Sequence, residues 1–276
     1  MTQFPPYVGL GGRAWFYGYR SFCGLVLLFL MAPILVIVPL AFNSQPYFTY
    51  PIPGFSLRWF EAIWQDTIWL QAIRNSIVVA VASTVISTSL GTLAAIGLMR
   101  KDLPGKGLIT AVLVSPMIVP IIITAVGSYF FYSNLGIANS LTAIILSHAA
   151  LGTPFVVITV TATMVGFDHS LTRAARNLGA SPLYAFRTVT IPLVWPGILS
   201  GALFAFATSF DEVVTVLFLG GVEQRTVPRQ MWSGVREQLS PTILAVATVL
   251  IVISVAMLLT LEFLRRRNAR MRGLAD

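Results

Sequence analysis

The chain has 276 residues, of which 56% are hydrophobic and only 10% are charged. Soluble domains carry about 25% charged residues, so a water-soluble core cannot account for this composition, and membrane lipid is the expected surrounding. The net charge of +8 comes from arginines and lysines scattered between apolar runs, which argues against a nucleic-acid partner and favours loop charges in a membrane protein.

Six apolar runs are long enough to cross a bilayer as helices, because a hydrocarbon core of about 30 Å needs about 20 residues at about 1.5 Å each. The first run is too long for a cleaved signal peptide, and no clear small-x-small cleavage site follows it, so we interpret it as a retained span. The predicted fold class is therefore an all-α membrane protein with six transmembrane helices. In chain order the predicted spans are residues 22–42, 70–98, 108–132, 140–165, 193–219 and 241–263.

Positively charged residues set the predicted orientation. Six spans place both termini on one side, and 13 of the 18 lysines and arginines fall on that side of the predicted topology. The positive-inside rule puts this side in the cytoplasm. The predicted organisation is a cytoplasmic tail at 1–21, a six-span domain at 22–263 that includes a cytoplasmic loop at 166–192, and a basic cytoplasmic tail at 264–276.

The loop between the fourth and fifth predicted spans contains the sequence SLTRAARNLGASPLYAFRTVTIP, residues 170–192. Four apolar residues recur at i, i+3, i+4 and i+7, which predicts one stripe on a short amphipathic helix. They are Leu171, Ala174, Ala175 and Leu178. Asp168 or Ser170 is expected to cap the start of this helix, and Gly179 to end it in a left-handed conformation. A helix this short has only marginal stability in water. It therefore needs another surface to pack against. Lipid headgroups are one candidate; the alanines favour a groove on a protein partner.

This loop resembles the cytoplasmic signature of ATP-binding-cassette importer permeases. That signature reads Glu-Ala-Ala, three residues, Gly, nine residues, then Ile-x-Leu-Pro. Ala174 and Ala175 match it, Gly179 has the expected offset, and Pro192 closes it. Arg173 takes the place of the glutamate, which reverses a charge at the start of the helix. The resemblance covers roughly residues 70–265.

The resemblance implies the type I importer permease fold, MetI-like, in a bacterial inner membrane. It implies that the short helix, including Leu171, Arg173 and Leu178, docks on a separate cytoplasmic ATPase dimer that binds ATP and Mg²⁺. A second permease subunit and a periplasmic substrate-binding protein are the other implied partners, beside membrane lipid. This chain is then a transport subunit and not an enzyme.

The fifth predicted span carries two adjacent carboxylates, Asp211 and Glu212, within SGALFAFATSFDEVVTVLFLGG, residues 200–221. Residues 193–219 exceed the length of a straight span, so the helix is expected to tilt strongly or to break, and transporters often build their sites at such breaks. We therefore predict Asp211, Glu212 and Ser209 as pathway residues. The alternatives are an interfacial pair for the two carboxylates and close helix packing for Ser209. The small-residue stripe that favours packing is Gly197, Gly201, Ala205 and Ser209.

The segment SFDEVV and the following EQRTVPRQMWSGVREQLSPTI resemble permeases of the spermidine/putrescine type. Two carboxylates suit an organic polycation, so a polyamine is the expected cargo, and amino-acid-like, opine or metal-chelate cargo is the alternative. Residues 223–240 are expected at the outer face, where their arginines either pair with acidic groups of a binding protein or are solvated. These arginines are Arg225, Arg229 and Arg236.

Other chemistry finds little support in the sequence. The segment Gly105-Lys106-Gly107 lacks the spacing and the Ser/Thr of a phosphate-binding loop, and no residues have metal-ligand spacing. We therefore expect no catalytic residue, metal or cofactor in this chain. A buried His148 is expected to be a hydrogen-bonded structural residue, and with Ser147 it is the one hint of an intramembrane enzyme. An ATPase-independent secondary transporter is the second rival, although we see no inverted repeat.

Overall fold

The computed structural model describes residues 9–100, 102–237 and 240–271, without the side chains of His169, Glu237, Met257 and residues 260–271. The ends of both predicted tails and Lys101 therefore lie outside the described residues. The described residues are mostly helical and contain no β-strand. The helices are α1 Leu10–Leu40, α2 Arg58–Gln65, α3 Thr67–Leu98, α4 Lys106–Ile118, α5 Ile121–Asn134, α6 Leu141–Val165, α7 His169–Asn177, α8 Pro182–Ala185, α9 Ile191–Asp211, α10 Val214–Leu219, α11 Val227–Glu237 and α12 Pro241–Met271.

Four helical segments are long and apolar enough to cross a membrane: α1, α3, α6 and Pro182–Asp211. The last is continuous because a π-helical turn, Phe186–Thr190, joins α8 to α9. The pair α4 and α5 forms a fifth candidate that is bent by 103°, and α12 contributes a shorter apolar stretch, Pro241–Ala256, among the described residues. The all-α membrane fold is confirmed, and the count of six spans stays a prediction.

The predicted span at 108–132 is not one straight helix. Val119 ends α4 in an extended conformation with ψ of 134°, and Pro120 precedes α5. Proline disfavours the helical conformation of the residue before it and has no N–H to donate, so the helix stops here. Because of the bend, α5 begins at Ile121 and runs in a different direction from α4.

The described residues form two compact units. One unit combines the residues before Thr67 with those from Gly234 onward, and in it α12 packs against α1 and α2. The link from α1 to α2 is tied by Asn43, whose side-chain amide donates to the Tyr47 carbonyl over 2.8 Å. The indole N–H of Trp59 in turn donates to the Asn43 carbonyl over 2.7 Å.

The second unit, Thr67–Ser233, is built on α6 packed against α3 and α9. Small residues bring these helices close together. A Cβ added to Gly201 on α9 would lie 2.5 Å from Thr159 Oγ1 and 2.8 Å from Val156 Cα on α6, and one added to Gly91 on α3 would lie 2.6 Å from Val156 Cβ. The packing interpretation of the small-residue stripe is therefore confirmed at Gly201. Apolar side chains fill the rest of this core: Ala95, Val156, Val160, Met164, Val194, Ile198 and Ala205.

Candidate functional site

The fifth predicted span breaks beside its two carboxylates. Helix α9 ends at Asp211, Glu212 is extended with ψ of 128°, and α10 begins at Val214. The expected break in an overlong apolar run is confirmed. The short α10 is anchored by Val216 and Leu219, which pack in a buried cluster with Val79 of α3 and Ile144 of α6.

The Glu212 side chain compensates for the break. Its Oε1 accepts hydrogen bonds from the backbone N–H groups of Val214 and Thr215 over 2.7 and 3.0 Å. Its Oε2 accepts from the Thr215 N–H over 2.9 Å and from the Thr215 hydroxyl. The first N–H groups of a helix have no intrahelical partners, so this carboxylate satisfies donors that the break would otherwise leave unpaired.

His148 of α6 joins Glu212 to a buried polar cluster. Its Nδ1 lies 2.8 Å from Ser209 Oγ, which also accepts a hydrogen bond from Ser83 Oγ over 2.9 Å. Its Nε2 lies 3.3 Å from Glu212 Oε2, within ion-pair distance, although the relative orientation does not meet hydrogen-bond geometry. The His148–Glu212 link, with Ser209 and Ser83, therefore connects α3, α6 and α9 at the level of the break.

A cavity of about 510 Å³ opens at the same place, and the exposed Asp211 lines it. Asp211 makes no hydrogen bond or ion pair with any residue whose placement the structure describes. Ile121 also lines the cavity, so the α4–α5 bend and the α9–α10 break both adjoin it. The lining residues are Ile121, Ala207, Thr208, Asp211, Glu212, Val213 and Val214.

The sequence predicts Asp211, Glu212 and Ser209 as pathway residues, but the structure places them in two different environments. Asp211 is exposed at the cavity, whereas Glu212 and Ser209 are buried in the polar cluster with His148. Sequence reasoning missed the partnership between His148 and Glu212. Each residue is conspicuous as a polar group in an apolar run, but nothing in the sequence pairs two residues on different helices.

The second candidate site is α7, His169–Asn177, in the predicted cytoplasmic loop. Asp168 caps it by accepting a hydrogen bond from the Ser170 N–H over 2.8 Å. At its end the Ala180 N–H donates to the Ala175 carbonyl over 3.1 Å, and the Gly179 N–H donates to the Arg176 carbonyl over 3.0 Å. This is a Schellman motif, and Gly179 has the left-handed φ of +91° that the motif requires. Both predicted ends of the helix are confirmed.

The predicted apolar stripe of α7 is largely uncovered. Leu178 is 89% exposed and Leu171 46% exposed. Ala174 and Arg173 are also exposed, Ala175 is half-buried, and Arg173 makes no hydrogen bond or ion pair within the part of the chain that the structure describes. The residues that a partner would contact are therefore available on the surface of this chain.

Helix α7 packs on α8 and on the π-helical turn that leads into α9. The turn directly precedes Ile191 and Pro192 at the start of α9, where Pro192 has no N–H to donate, and Pro192 itself is exposed. Because Pro182–Asp211 is continuous, its 30 residues extend about 45 Å from the α7 contact to the cavity. The segment that α7 contacts is therefore continuous with the helix that ends at Asp211.

The segment that is predicted at the outer face is tied to α3 by the side-chain amide of Asn75. Asn75 Nδ2 donates to the carbonyls of Glu223 and Arg225 over 2.7 and 2.9 Å. Arg225 Nη1 donates to Gln230 Oε1 over 3.1 Å, and Arg229 Nη1 donates to the Gly221 carbonyl over 2.7 Å. Burial and the neighbouring Arg225 charge lower the pKa of the Arg229 guanidinium. Of the three predicted outer arginines, these two have partners within the chain, and Arg236 is exposed.

Comparison with known proteins identifies relatives of the whole chain. A family model described as binding-protein-dependent transport system inner membrane component matches residues 87–270. The spermidine/putrescine transport system permease protein PotC of Haemophilus influenzae is 31% identical over 253 residues, which cover 92% of this chain and 98% of that protein. The putrescine transport system permease protein PotI of Escherichia coli is 31% identical over 230 residues, which cover 81% of this chain and 82% of that protein.

Among solved structures, a bacterial ABC transporter involved in the import of the acidic polysaccharide alginate contains a chain with a similar fold. The TM-score is 0.72 at 17% sequence identity, and the match covers 93% of this chain and 99% of that chain. At this identity the likeness concerns the fold alone.

Proposed function

The chain belongs to the family of binding-protein-dependent transport system inner membrane components, and we propose that it forms half of the membrane pathway for a polyamine such as putrescine or spermidine. It is a permease subunit of an ATP-binding-cassette importer, a transport component and not an enzyme. It is a multi-pass protein of the inner membrane, and the excess of basic residues in the predicted tails and loops supports cytoplasmic termini.

One observation above others supports the cargo: Asp211 has no ionic or hydrogen-bond partner among the described residues and lines a cavity that adjoins two helix breaks. An amine cation would supply the missing counter-charge there. The cavity of about 510 Å³ lies within the roughly 300–1,000 Å³ typical of small-molecule sites. The two relatives named for putrescine or spermidine transport support the same cargo class.

We infer three protein partners. The exposed stripe of α7 suits the cleft of a cytoplasmic ATPase dimer, which would bind ATP and Mg²⁺, and α7 passes the ATPase movement to α9. A second permease subunit completes the pathway, and a periplasmic binding protein delivers cargo to the outer face. The packing of α7 on the start of the Pro182–Asp211 segment supports this coupling route.

Uptake by reconstituted vesicles tests the proposal. The permease, its cognate ATPase, second permease and binding protein are placed in proteoliposomes, and accumulation of labelled putrescine and spermidine is measured with and without internal Mg-ATP. We expect ATP-dependent uptake that the binding protein stimulates. Uptake that survives without the ATPase and ATP would instead favour a secondary transporter, and ATP-dependent uptake of only amino-acid-like, opine or metal-chelate compounds would reject the polyamine assignment.

A further inference from the structure

The two neighbouring carboxylates at the α9–α10 break differ in how their charge is compensated. Glu212 accepts hydrogen bonds from two backbone N–H groups and one hydroxyl, and it faces the His148 imidazole. Its side chain is only 4% exposed. Asp211 has none of these partners among the described residues and is exposed at the cavity. Glu212 also lines the cavity, but its carboxylate is already engaged by the protein, whereas that of Asp211 is available to an external cation.

The orientation of the His148 ring follows from its two neighbours. Nε2 lies 3.3 Å from Glu212 Oε2, a charge-favoured contact at ion-pair distance without hydrogen-bond geometry. Nδ1 faces Ser209 Oγ, which can either donate or accept. A ring held at both nitrogens cannot rotate without breaking one contact, so His148 fixes the position of Glu212 relative to α6.

Glu212 in turn determines where α9 ends. Its side chain accepts a hydrogen bond from the Thr215 N–H in the first turn of α10. Helix α10 is packed against α5 and α6. A buried carboxylate that loses a partner becomes costly and tends to reach water. Movement of Glu212 toward the cavity would loosen the break and displace the preceding residue, Asp211.

We propose that His148 is a positioning residue for transport: through Glu212 it holds the α9–α10 break in the geometry that keeps the Asp211 carboxylate on the cavity. The part of this proposal that concerns cargo rests on the proposed function. The part that concerns the position of residue 211 does not, because that position can be measured without cargo.

Two substitutions test the contacts of the two ring nitrogens separately. In His148→Gln the side-chain amide can reach the position of Nε2 and keep the contact with Glu212, whereas in His148→Asn it reaches only the position of Nδ1 and keeps Ser209. Ser147→Ala is the matched control, because its buried hydroxyl has no hydrogen-bond partner among the described residues. All variants are assembled with the ATPase, the second permease and the binding protein.

The first readout is the KM for ATP-driven polyamine uptake. Because the loss of a partner from a buried charged acceptor is costly, His148→Asn is expected to raise KM about tenfold, while His148→Gln and Ser147→Ala stay close to the parent value. Equal changes of KM in His148→Asn and His148→Gln, or no change in either, would overturn the proposal. A role of His148 in packing alone would not distinguish the two amides.

The second readout needs no cargo. In a Cys23→Ala background, which removes the one cysteine of the chain, residue 211 is changed to cysteine and its reaction with a small cationic methanethiosulfonate is timed in the assembled complex. His148→Asn is expected to slow this reaction several-fold and His148→Gln is not. If the parent complex fails to carry polyamines, the proposed cargo is wrong, but the labelling rates still decide whether His148 positions residue 211.

Glu212→Gln provides a second variant if His148→Asn does not assemble. The amide retains an oxygen for the backbone donors of α10 but removes the charge that faces His148. We expect the same rise in KM and the same slower labelling. Parental values of both quantities in a well-assembled Glu212→Gln complex would overturn the proposal.

Discussion

Asp211 and Glu212 are consecutive residues, yet the carboxylate of Asp211 faces a cavity while that of Glu212 is buried within 3.3 Å of His148 Nε2. The helix break between α9 and α10 produces this difference, because Glu212 leaves the helical conformation and turns its side chain onto the first N–H groups of α10. The Glu212 carboxylate is thus engaged at the break, and the Asp211 carboxylate is the one that we propose for the cargo.

Replacement of Asp211 by asparagine tests the cargo contact. Asp211→Asn removes the charge with little change of volume, and loss of a hydrogen bond to a charged partner is expected to raise the KM for polyamine uptake about tenfold or more. Complex assembly should be unchanged, since Asp211 makes no contact of this kind within the described chain. Glu61→Gln, which neutralises an exposed carboxylate on α2, is the matched control. An unchanged KM for Asp211→Asn would remove this residue from the pathway.

Substitutions at Gly179 test the end of α7. Its φ of +91° costs about 1–2 kcal/mol for an ordinary L-residue, although no described residue beyond its chain neighbours lies within 4 Å of an added Cβ. Gly179→Val should therefore reduce ATP-coupled uptake while the protein still inserts in the membrane, and Gly179→Asn should be milder because asparagine tolerates this region. Transport and ATP hydrolysis are measured together in vesicles. Normal coupling in a well-expressed Gly179→Val complex would argue against transmission through α7.

Close approach of α6 and α9 makes Gly201 sensitive to one added methyl group. Gly201→Ala would bring Cβ within 2.8 Å of the Val156 Cα, and overpacking of this kind costs about 1–3 kcal/mol. We expect a lower thermal unfolding temperature in detergent. Gly127→Ala on α5 is the control, since nothing lies within 4 Å of its added Cβ. If the two variants unfold at the same temperature, the tight contact at Gly201 does not stabilise the protein.

The exposed end of the α7 stripe should matter to a partner and not to this chain. Leu178 is 89% exposed, so Leu178→Ser removes almost no internal packing and should leave the unfolding temperature of the isolated permease unchanged. It should reduce the amount of ATPase that co-purifies with the complex. Val222→Ser changes a residue that is 75% exposed in the segment before α11 and serves as the comparison. Equal ATPase recovery with Leu178→Ser and Val222→Ser would contradict the docking assignment.

Local features of the fold could be predicted because short-range chemistry decides them. The left-handed Gly179, the cap by Asp168 and the break after Asp211 follow from residue type, spacing and the length of an apolar run. The 103° angle between α4 and α5 could not be predicted. Pro120 indicates a bend, but its size depends on how α5 packs against α6 and α10, which local sequence does not encode.

The candidate site was predictable only in part for the same reason. Asp211 and Glu212 stand out as charges in an apolar run, but which of them faces inward depends on His148, which lies 61 residues before Ser209 and is brought to it by the packing of α6 on α9. Arg225 and Arg229 similarly looked available at the predicted outer face, but the folded segment pairs them with Gln230 and the Gly221 carbonyl, five and eight residues away.

Contact between α7 and the ATPase is the central claim, and site-specific crosslinking tests it most directly. Ala174 is exposed on α7, so it is changed to cysteine in the Cys23→Ala background, and the assembled complex is treated with a short bifunctional reagent. We expect a crosslink to the nucleotide-binding subunit and no reaction with a membrane-impermeant maleimide applied outside intact cells. Labelling from the outside, or no crosslink to the ATPase in an assembled complex, would contradict it.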